Sequence, residues 1–163
     1  MNLVEAIQEV KERGGDYLSN QRITLMLNDA KNELEDFYTW PWLETVVTGV
    51  APLVIDDLKR VLYVSDDTQR GMLSGSTAQS ILLSEGNVDI STDTPTGAEQ
   101  PVYWYLDGTN TLSVYPANTT NTLFVGYVKV SDELSGTDTP LFPTRFHGLW
   151  VDLTMIRVYR DSD

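Results

Sequence analysis

The stretch at 101–130 limits the fold more than any other part of this sequence, because its residues follow the pattern of strands. Apolar residues alternate with others over 102–106 and again over 111–115, which is the two-residue period of a half-buried strand. Asp107 and Gly108 stand between the two runs and suit a two-residue hairpin turn, since glycine adopts a positive φ without steric cost. The stretch therefore predicts a hairpin.

The third run of the same stretch, 122–130, is apolar on both faces, which predicts a strand that is covered on both sides. It would complete a meander of three consecutive strands. Helical segments at the two ends of the chain are the candidates for the cover. We therefore predict an α+β fold, with an antiparallel sheet or sandwich core over about residues 44–130 packed against N-terminal and C-terminal helices.

Three helices are predicted from apolar spacings of three and four. The first covers 2–13 and ends at two glycines, and the second covers 20–38 after a serine that can cap it. The third covers 144–160 and follows a proline.

The spacing also predicts which side chains these helices bury. In the second helix the expected buried stripe is Ile23, Leu27, Ala30, Leu34 and Phe37, and the expected water-facing residues are Asn28, Lys31, Asn32 and Glu35. In the third helix the expected apolar face is Phe146, Leu149, Trp150, Leu153 and Ile156.

The middle of the chain holds weaker patterns. Residues 44–50 and 59–65 are typical of strands, and 70–73 are expected to pair briefly. A short helix is predicted over 77–84 and a polar surface loop over 84–100. No internal repeat is present, so we predict a single domain over 1–163.

The charge of the chain limits its partners. Eleven basic and 24 acidic residues among 163 give a formal net charge of −13, which disfavours tight binding to nucleic acid. The sequence has no cysteine and no apolar run that could cross a bilayer, so neither disulfides nor a membrane partner is expected.

Few residues suggest catalysis or ligand binding. His147 is the single histidine, and the adjacent acids at 56–57 and 66–67 resemble turns more than a glycosidase pair. Asn87, Asp89 and Asp93 lack the glycine and glutamate of a helical calcium loop. The glycosylation sequon at Asn118 is short enough to occur by chance. We predict no catalytic residue, no cofactor and no metal.

The segment Trp40-Pro41-Trp42 follows the second helix. Its aromatic rings could form a platform for a sugar, or they could wedge the helix against the sheet. We favour the wedge, because aromatic side chains contribute large buried areas where helix and sheet meet.

The order of these segments resembles the head-to-tail connector, or adaptor, proteins of tailed bacteriophages, a group that includes tail tubular protein A. An N-terminal helix ends in FYTWPWLE, and paired aromatics follow in PVYWYLDG. Then come LSVYP, TLFVGYVKV and the helix entry LFPTRFHGLWVDL. The resemblance covers residues 20–158.

This resemblance implies a structural virion protein without enzymatic activity, located at the neck and assembled in the host cytoplasm. Such proteins form a ring, commonly of twelve copies, below the portal. They extend the DNA channel without gripping the DNA and provide the surface for a tail or nozzle protein. An acidic wall would suit that passage, since carboxylates repel phosphates.

A ring also needs two different complementary surfaces on each subunit. For the contacts with other subunits or partners we predict a set of residues on the helices and on the 84–100 loop, namely Leu3, Ile7, Asn28, Lys31, Glu35, Asp89, Asp93, Arg157 and Arg160.

Two other functions compete with the adaptor. A carbohydrate-binding β-sandwich would stack sugars on Trp40, Trp42, Trp104 and the tyrosines, although the predicted helices argue against a small sandwich. Another structural protein of the tail or a fibre is the remaining alternative of this kind. An acid- or metal-dependent hydrolase has only the acidic loops in its favour.

Overall fold

The structure is a computed structural model that describes residues 1–67, 72–77, 80–81, 100–108, 110–117 and 120–161. These residues divide into two compact units. The helical unit comprises Met1–Leu43 and Ser131–Asp163, and the β unit comprises Glu44–Val130. Helices at both ends of the chain and antiparallel sheets between them confirm the α+β class. The single-domain organisation stays a prediction.

The helical unit contains α1 (Leu3–Val10), α2 (Asn20–Phe37) and α3 (His147–Asp161). A π-helical turn, Lys11–Gly15, extends α1, and 3-10 turns at Pro41–Leu43 and Thr144–Phe146 follow α2 and precede α3. The three predicted helices are therefore confirmed, with boundaries that differ by a few residues. None of the described helices is long and apolar enough to cross a membrane.

The ends of α1 and α2 follow from their capping residues. Asn2 accepts a hydrogen bond from the Glu5 backbone N–H, and the Glu5 carboxylate accepts one from the Asn2 N–H, each at 2.9 Å. This reciprocal pair satisfies N–H groups that a helix start leaves open. Gly14 ends the first helical segment with φ = 114°, a value that disfavours other residues. Ser19 caps α2 by accepting from the Arg22 N–H at 3.2 Å.

The apolar face of α3 differs from the prediction. Leu149 and Ile156 are exposed, whereas Val151, Met155 and Val158 are buried. The exposed pair and the buried set both have helical spacing, so spacing alone does not show which of them faces the core. The core of the helical unit is built from these residues and from α1 and α2, and it includes Leu3, Ala6, Val10, Ile23, Met26, Leu27, Ala30, Leu34, Leu134, Phe142 and Trp150.

The β unit contains two sheets. The first has the order β1-β7-β3 and the second has the order β2-β6-β5-β4. Their strands are β1 (Glu44–Gly49), β2 (Leu53–Val54), β3 (Leu58–Asp66), β4 (Ser74–Gly75), β5 (Tyr103–Asp107), β6 (Thr111–Tyr115) and β7 (Leu123–Lys129). Among the described residues, all strand pairs are antiparallel except β4 with β5.

The predicted meander is correct for its hairpin and wrong for its third strand. β5 pairs with β6, but β7 lies in the other sheet between β1 and β3. Asp107 is the last residue of β5 and pairs with Thr111, so it belongs to the strand and not to the predicted two-residue turn. Gly108 has φ = 77°, which fits the expected role of glycine in the turn.

The two faces of β7 also differ. Leu123, Val125 and Tyr127 are buried and pack with Leu112 and Val114 of the other sheet. On the opposite face Phe124 remains 39% exposed, so the prediction of cover on both sides is wrong there.

The remaining expectations concern short segments. Strands β1 and β3 agree with the predicted 44–50 and 59–65. Met72 forms an isolated antiparallel bridge with Ser65, which fits the brief pairing expected near 70–73. Ser80 and Ile81 are helical. The rest of the predicted 77–84 helix after Ile81 and nearly all of the 84–100 loop lie outside the described residues.

Candidate subunit and partner surfaces

The residues predicted at subunit contacts do not form one continuous surface. Leu3 is in the core of the helical unit, and Ile7 is half-buried. Arg160 is exposed near the end of α3, whereas Arg157 donates to Glu33 at 2.6 Å across the α2–α3 contact. Asp89 and Asp93, and with them the calcium interpretation, lie outside the described residues. The contact roles stay predictions.

Three of the predicted surface residues, Asn28, Lys31 and Glu35, are buried, so the expectation that they face water is wrong. They lie three and four positions apart on α2 and share one face. Lys31 is only 1% exposed, and its Nζ lies 3.4 Å from Glu35 Oε2. Burial of an ion pair is tolerated because the two charges compensate each other.

This buried face holds the segment that follows the β unit. Ser131 accepts a hydrogen bond from Lys31 and donates one to Glu35. The side chain of Asn28 donates to the Leu134 carbonyl at 3.1 Å and accepts from the Leu134 N–H at 2.7 Å. We call Asn28, Lys31, Glu35, Ser131 and Leu134 the polar clasp. It fixes residues 131–134 on α2.

The aromatic residues after α2 pack inside the helical unit. Trp40 and Trp42 are stacked, with ring centroids 4.6 Å apart and planes at 13°. Both also contact Phe146 at the start of α3, and Trp40 Nε1 donates to the Leu34 carbonyl at 2.8 Å. Each tryptophan therefore occupies a face of the other. This geometry gives no support to a sugar platform, and the proposed wedge against the sheet stays a prediction.

Several apolar side chains of the helical unit that are predicted to be buried are exposed in the structure. Phe37, expected in the core, is 86% exposed at the end of α2 and is followed by exposed Tyr38. Leu149, Ile156 and Tyr159 form an outward stripe on α3. Their spacings of seven and three are visible in the sequence, and the prediction that Leu149 and Ile156 face the core is wrong.

A groove of about 830 Å³ follows the outer side of α1 and is lined by Val4, Ile7, Gln8, Lys11 and Asn20 among others. Its rim carries opposite charges. Arg13 is paired with both Glu9 and Asp152. The hydrogen bond from Arg13 to Asp152 is the main cause of the raised pKa of Arg13, and it joins the end of the first helical segment to α3.

His147 is buried at the start of α3 rather than placed in a reactive cleft. Its ring meets Phe142 and Trp150 edge-on, with centroids at 5.5 and 6.3 Å. Burial is the main cause of its lowered pKa, and the N-terminal ammonium lowers the pKa further. Its Nε2 has no hydrogen-bond partner among the described residues. The surroundings are those of a core residue.

The acidic pairs of the β unit have structural partners. Asp57 accepts a hydrogen bond from the Tyr127 hydroxyl at 2.8 Å, and loss of solvent together with this carboxylate raises the pKa of Tyr127 to about 12. Asp66 is buried and accepts from Asn121 at 3.3 Å. Across the described ranges, no group of three or more histidine and carboxylate residues is placed to hold a metal ion.

A family comparison decides between the functions left open by this geometry. The whole chain, residues 1–163, matches the model of the SU10 adaptor protein family. The chain belongs to this family. SU10 adaptors are head-to-tail adaptor proteins of phages, as the resemblance predicted. No individual curated protein matches the chain.

Membership in the SU10 adaptor family gives the protein a structural role in a phage particle, which is not an enzymatic one. The role implies a position at the virion neck, contact with portal and tail components, and oligomerisation.

Proposed function

We propose that this SU10 adaptor assembles in the host cytoplasm into a ring of twelve copies below the portal. The ring extends the channel through which DNA leaves the head and presents the surface to which the tail or nozzle protein attaches. The observation that carries this proposal is the family match over the full chain. A protein between head and tail must contact a component on each side and leave a path for the genome.

The charge of the protein supports a channel that does not hold DNA. The formal net charge is −13, and repulsion between carboxylates and phosphates prevents tight binding. On the exposed side of α2, Asp29, Glu33 and Asp36 follow one another at spacings of four and three. These three carboxylates lie on one face of the helix, where Arg157 of α3 compensates the charge of Glu33. We propose that this face, with its remaining acidic charge, borders the channel or its rim.

The experiment is cryo-electron microscopy of the full chain mixed with the portal protein of the same phage. We expect a ring of twelve subunits below the portal, with Asp and Glu along its bore. A chain that remains monomeric by light scattering in the presence of portal would overturn the proposal. A bore lined mainly by Arg and Lys would overturn the part that concerns DNA passage.

A further inference from the structure

Strand β1 is an open edge of the three-stranded sheet. Within the part of the chain that the structure describes, its neighbour in the sheet is β7 alone. An edge strand presents a row of backbone N–H and C=O groups that can pair with another strand. β1 is six residues long, pairs with β7 in an unbroken register, and contains neither proline nor lysine. Val46 in its middle is 55% exposed.

The other sheet edges are shorter or less regular than β1. β2 and β4 contain two residues each. β3 has two register irregularities and carries Lys59 and Arg60. Residues 72 and 73 contact its C-terminal part, through the Met72 bridge and a hydrogen bond from the Leu73 N–H to the Val64 carbonyl at 2.8 Å. β1 is neither short nor bulged, and Glu44 at its start is its one charged residue. On β3, Lys59 and Arg60 disfavour pairing with most strands but suit a partner of opposite charge.

We propose that β1 of one subunit is covered by a second copy of this chain, through the N-terminal part of β3 at Leu58–Tyr63. This contact depends on the assembly of the protein into the ring proposed above. Both β1 and β3 are antiparallel to β7, so they run parallel to each other at opposite edges of one sheet. A rotation about a ring axis can therefore bring β3 of one copy beside β1 of the next as a parallel pair.

This contact joins two different edges, so it is heterologous and can repeat around a ring until it closes. Pairing of β1 with β1 of another copy would be two-fold symmetric and would stop at a dimer. The proposed pairing is thus the one that agrees with a closed ring of many copies.

The charges along the two edges are complementary. Glu44 of β1 and Arg60 of β3 both pair with Val128, so they lie in the same row of the sheet. When these rows continue without a shift into the next copy, Arg60 of one subunit approaches Glu44 of its neighbour. Opposite charges on adjacent strands stabilise a sheet. Arg60 also has an interaction within its own chain, so the proposal rests on its charge and position.

The first test compares Val46→Lys in β1 with Val54→Lys in β2. Both are edge-strand valines of nearly equal exposure, at 55% and 57%. Lysine on the covered edge should raise the concentration needed for assembly with portal at least about tenfold, whereas lysine in β2 should leave it unchanged. Assembly is measured by light scattering and electron microscopy, after circular dichroism has shown that both variants fold. Equal effects of the two variants, or no effect, would overturn the contact.

The second test reverses the charges. Glu44→Arg alone and Arg60→Glu alone should each weaken assembly by roughly two- to fivefold, because each creates like charges at every subunit contact. A mixture of the two variants should assemble better than either alone, since alternating copies restore opposite charges. A mixture that behaves as the average of the two variants would contradict the proposed pairing.

Hydrogen exchange on the wild-type assembly adds a measurement that needs no substitution. Amides in Glu44–Gly49 should exchange more slowly after assembly, and those of Leu53–Val54 should not change. Protection of β1 that appears only when a tail protein is added would assign the edge to that protein and overturn our choice of a second copy. A wild-type chain that never assembles overturns the proposed function and this contact together, while normal assembly with unprotected β1 overturns this contact alone.

Discussion

The two units are stabilised in different ways. The helical unit buries charged and titratable side chains, namely Lys31, Glu35 and His147, and uses the polar clasp to hold residues that are about a hundred positions apart. The β unit is built on backbone ladders and an apolar core, and Asp66 is its one buried charged residue within the described ranges. Both units bury an apolar core, so the expected difference between them lies in charge. Removal of one charge should damage the helical unit more than the β unit.

The largest effect is expected for Lys31→Met. This change leaves the Glu35 carboxylate buried without its cationic partner, and loss of one member of a buried ion pair lowers the free energy of unfolding by about 3–5 kcal/mol. Urea denaturation followed by tryptophan fluorescence measures it. Three of the four tryptophans lie in the helical unit, and a Trp104→Phe background removes the fourth.

Two further variants sharpen this result. Lys31→Met combined with Glu35→Leu removes both charges and should recover most of the lost stability, because an apolar pair of similar size replaces a buried ion pair at little cost. Lys129→Met in β7 removes a half-buried lysine from the other unit and should change stability by less than about 0.5 kcal/mol. Equal losses for Lys31→Met and Lys129→Met would contradict the contrast between the units.

Asn28→Ala should have the next largest effect. It removes both hydrogen bonds to the Leu134 backbone and leaves a buried N–H and C=O without partners, at a cost of about 1–3 kcal/mol for an unsatisfied group. Asn32→Ala, four positions further along α2 and exposed, is the matched control and should be nearly neutral. Hydrogen exchange of the Leu134 amide should increase strongly in Asn28→Ala only. An unchanged rate would show that the clasp does not hold this segment.

In the β unit the corresponding change is one of shape. Gly126 in β7 lies beneath the ring of Tyr63, and a Cβ at this position would be 2.1 Å from the nearest ring atom. Gly126→Ala should therefore destabilise the β unit by about 1–3 kcal/mol through overpacking. Gly148→Ala in α3 is the control, because its Cβ would meet no atom within 4 Å and alanine favours a helix by about 1 kcal/mol.

A second substitution tests whether the Tyr63 ring causes this loss of stability. Tyr63→Ala combined with Gly126→Ala removes the ring that the new methyl group meets, so the double variant should lose less stability than the sum of the two single losses. Additive losses would mean that Tyr63 is not what makes glycine necessary at this position.

The sequence predicted the helices and the hairpin well, because their signals are local. Ser19, the glycine pair after α1 and the apolar spacings mark the helices, and Gly108 marks the hairpin turn. Sequence-adjacent strands usually pair, and this general rule placed β7 beside β6. The structure places β7 in the other sheet, and the seven residues 116–122 between β6 and β7 are more than a tight hairpin turn needs.

The burial of Asn28, Lys31 and Glu35 was not predictable from composition, because lysine and glutamate are almost always exposed. Their spacing of three and four did place them on one face of α2. Their partners, however, are Ser131 and the Leu134 backbone, about a hundred residues away, and nothing local in the sequence indicates that pairing. The residues at subunit contacts are equally hard to predict, because their partners lie on another chain and leave no local pattern in the sequence.

The smallest expected effect is a pH dependence of stability that arises from His147 in the helical unit. The pKa of His147 is lowered mainly by burial and further by the N-terminal ammonium, while the Phe142 backbone and Glu5 act in the opposite direction. The unfolded chain therefore binds a proton near pH 6.5, before the folded chain does. The contribution of His147 to stability is complete above that pH and is lost as the pH falls through the lower, folded-state pKa.

This loss cannot exceed about 1.4 kcal/mol for each pH unit between the two pKa values. His147→Phe removes the titration. Between pH 7 and pH 5 the unfolding free energy of the wild type should therefore fall relative to that of the variant. Since the chain has one histidine, a proton NMR titration assigns the folded-state pKa without ambiguity. A folded-state pKa at or above 6.5 would show that this ring is solvated, and the contrast between a titratable helical core and an apolar β core would then depend on Lys31 and Glu35 alone.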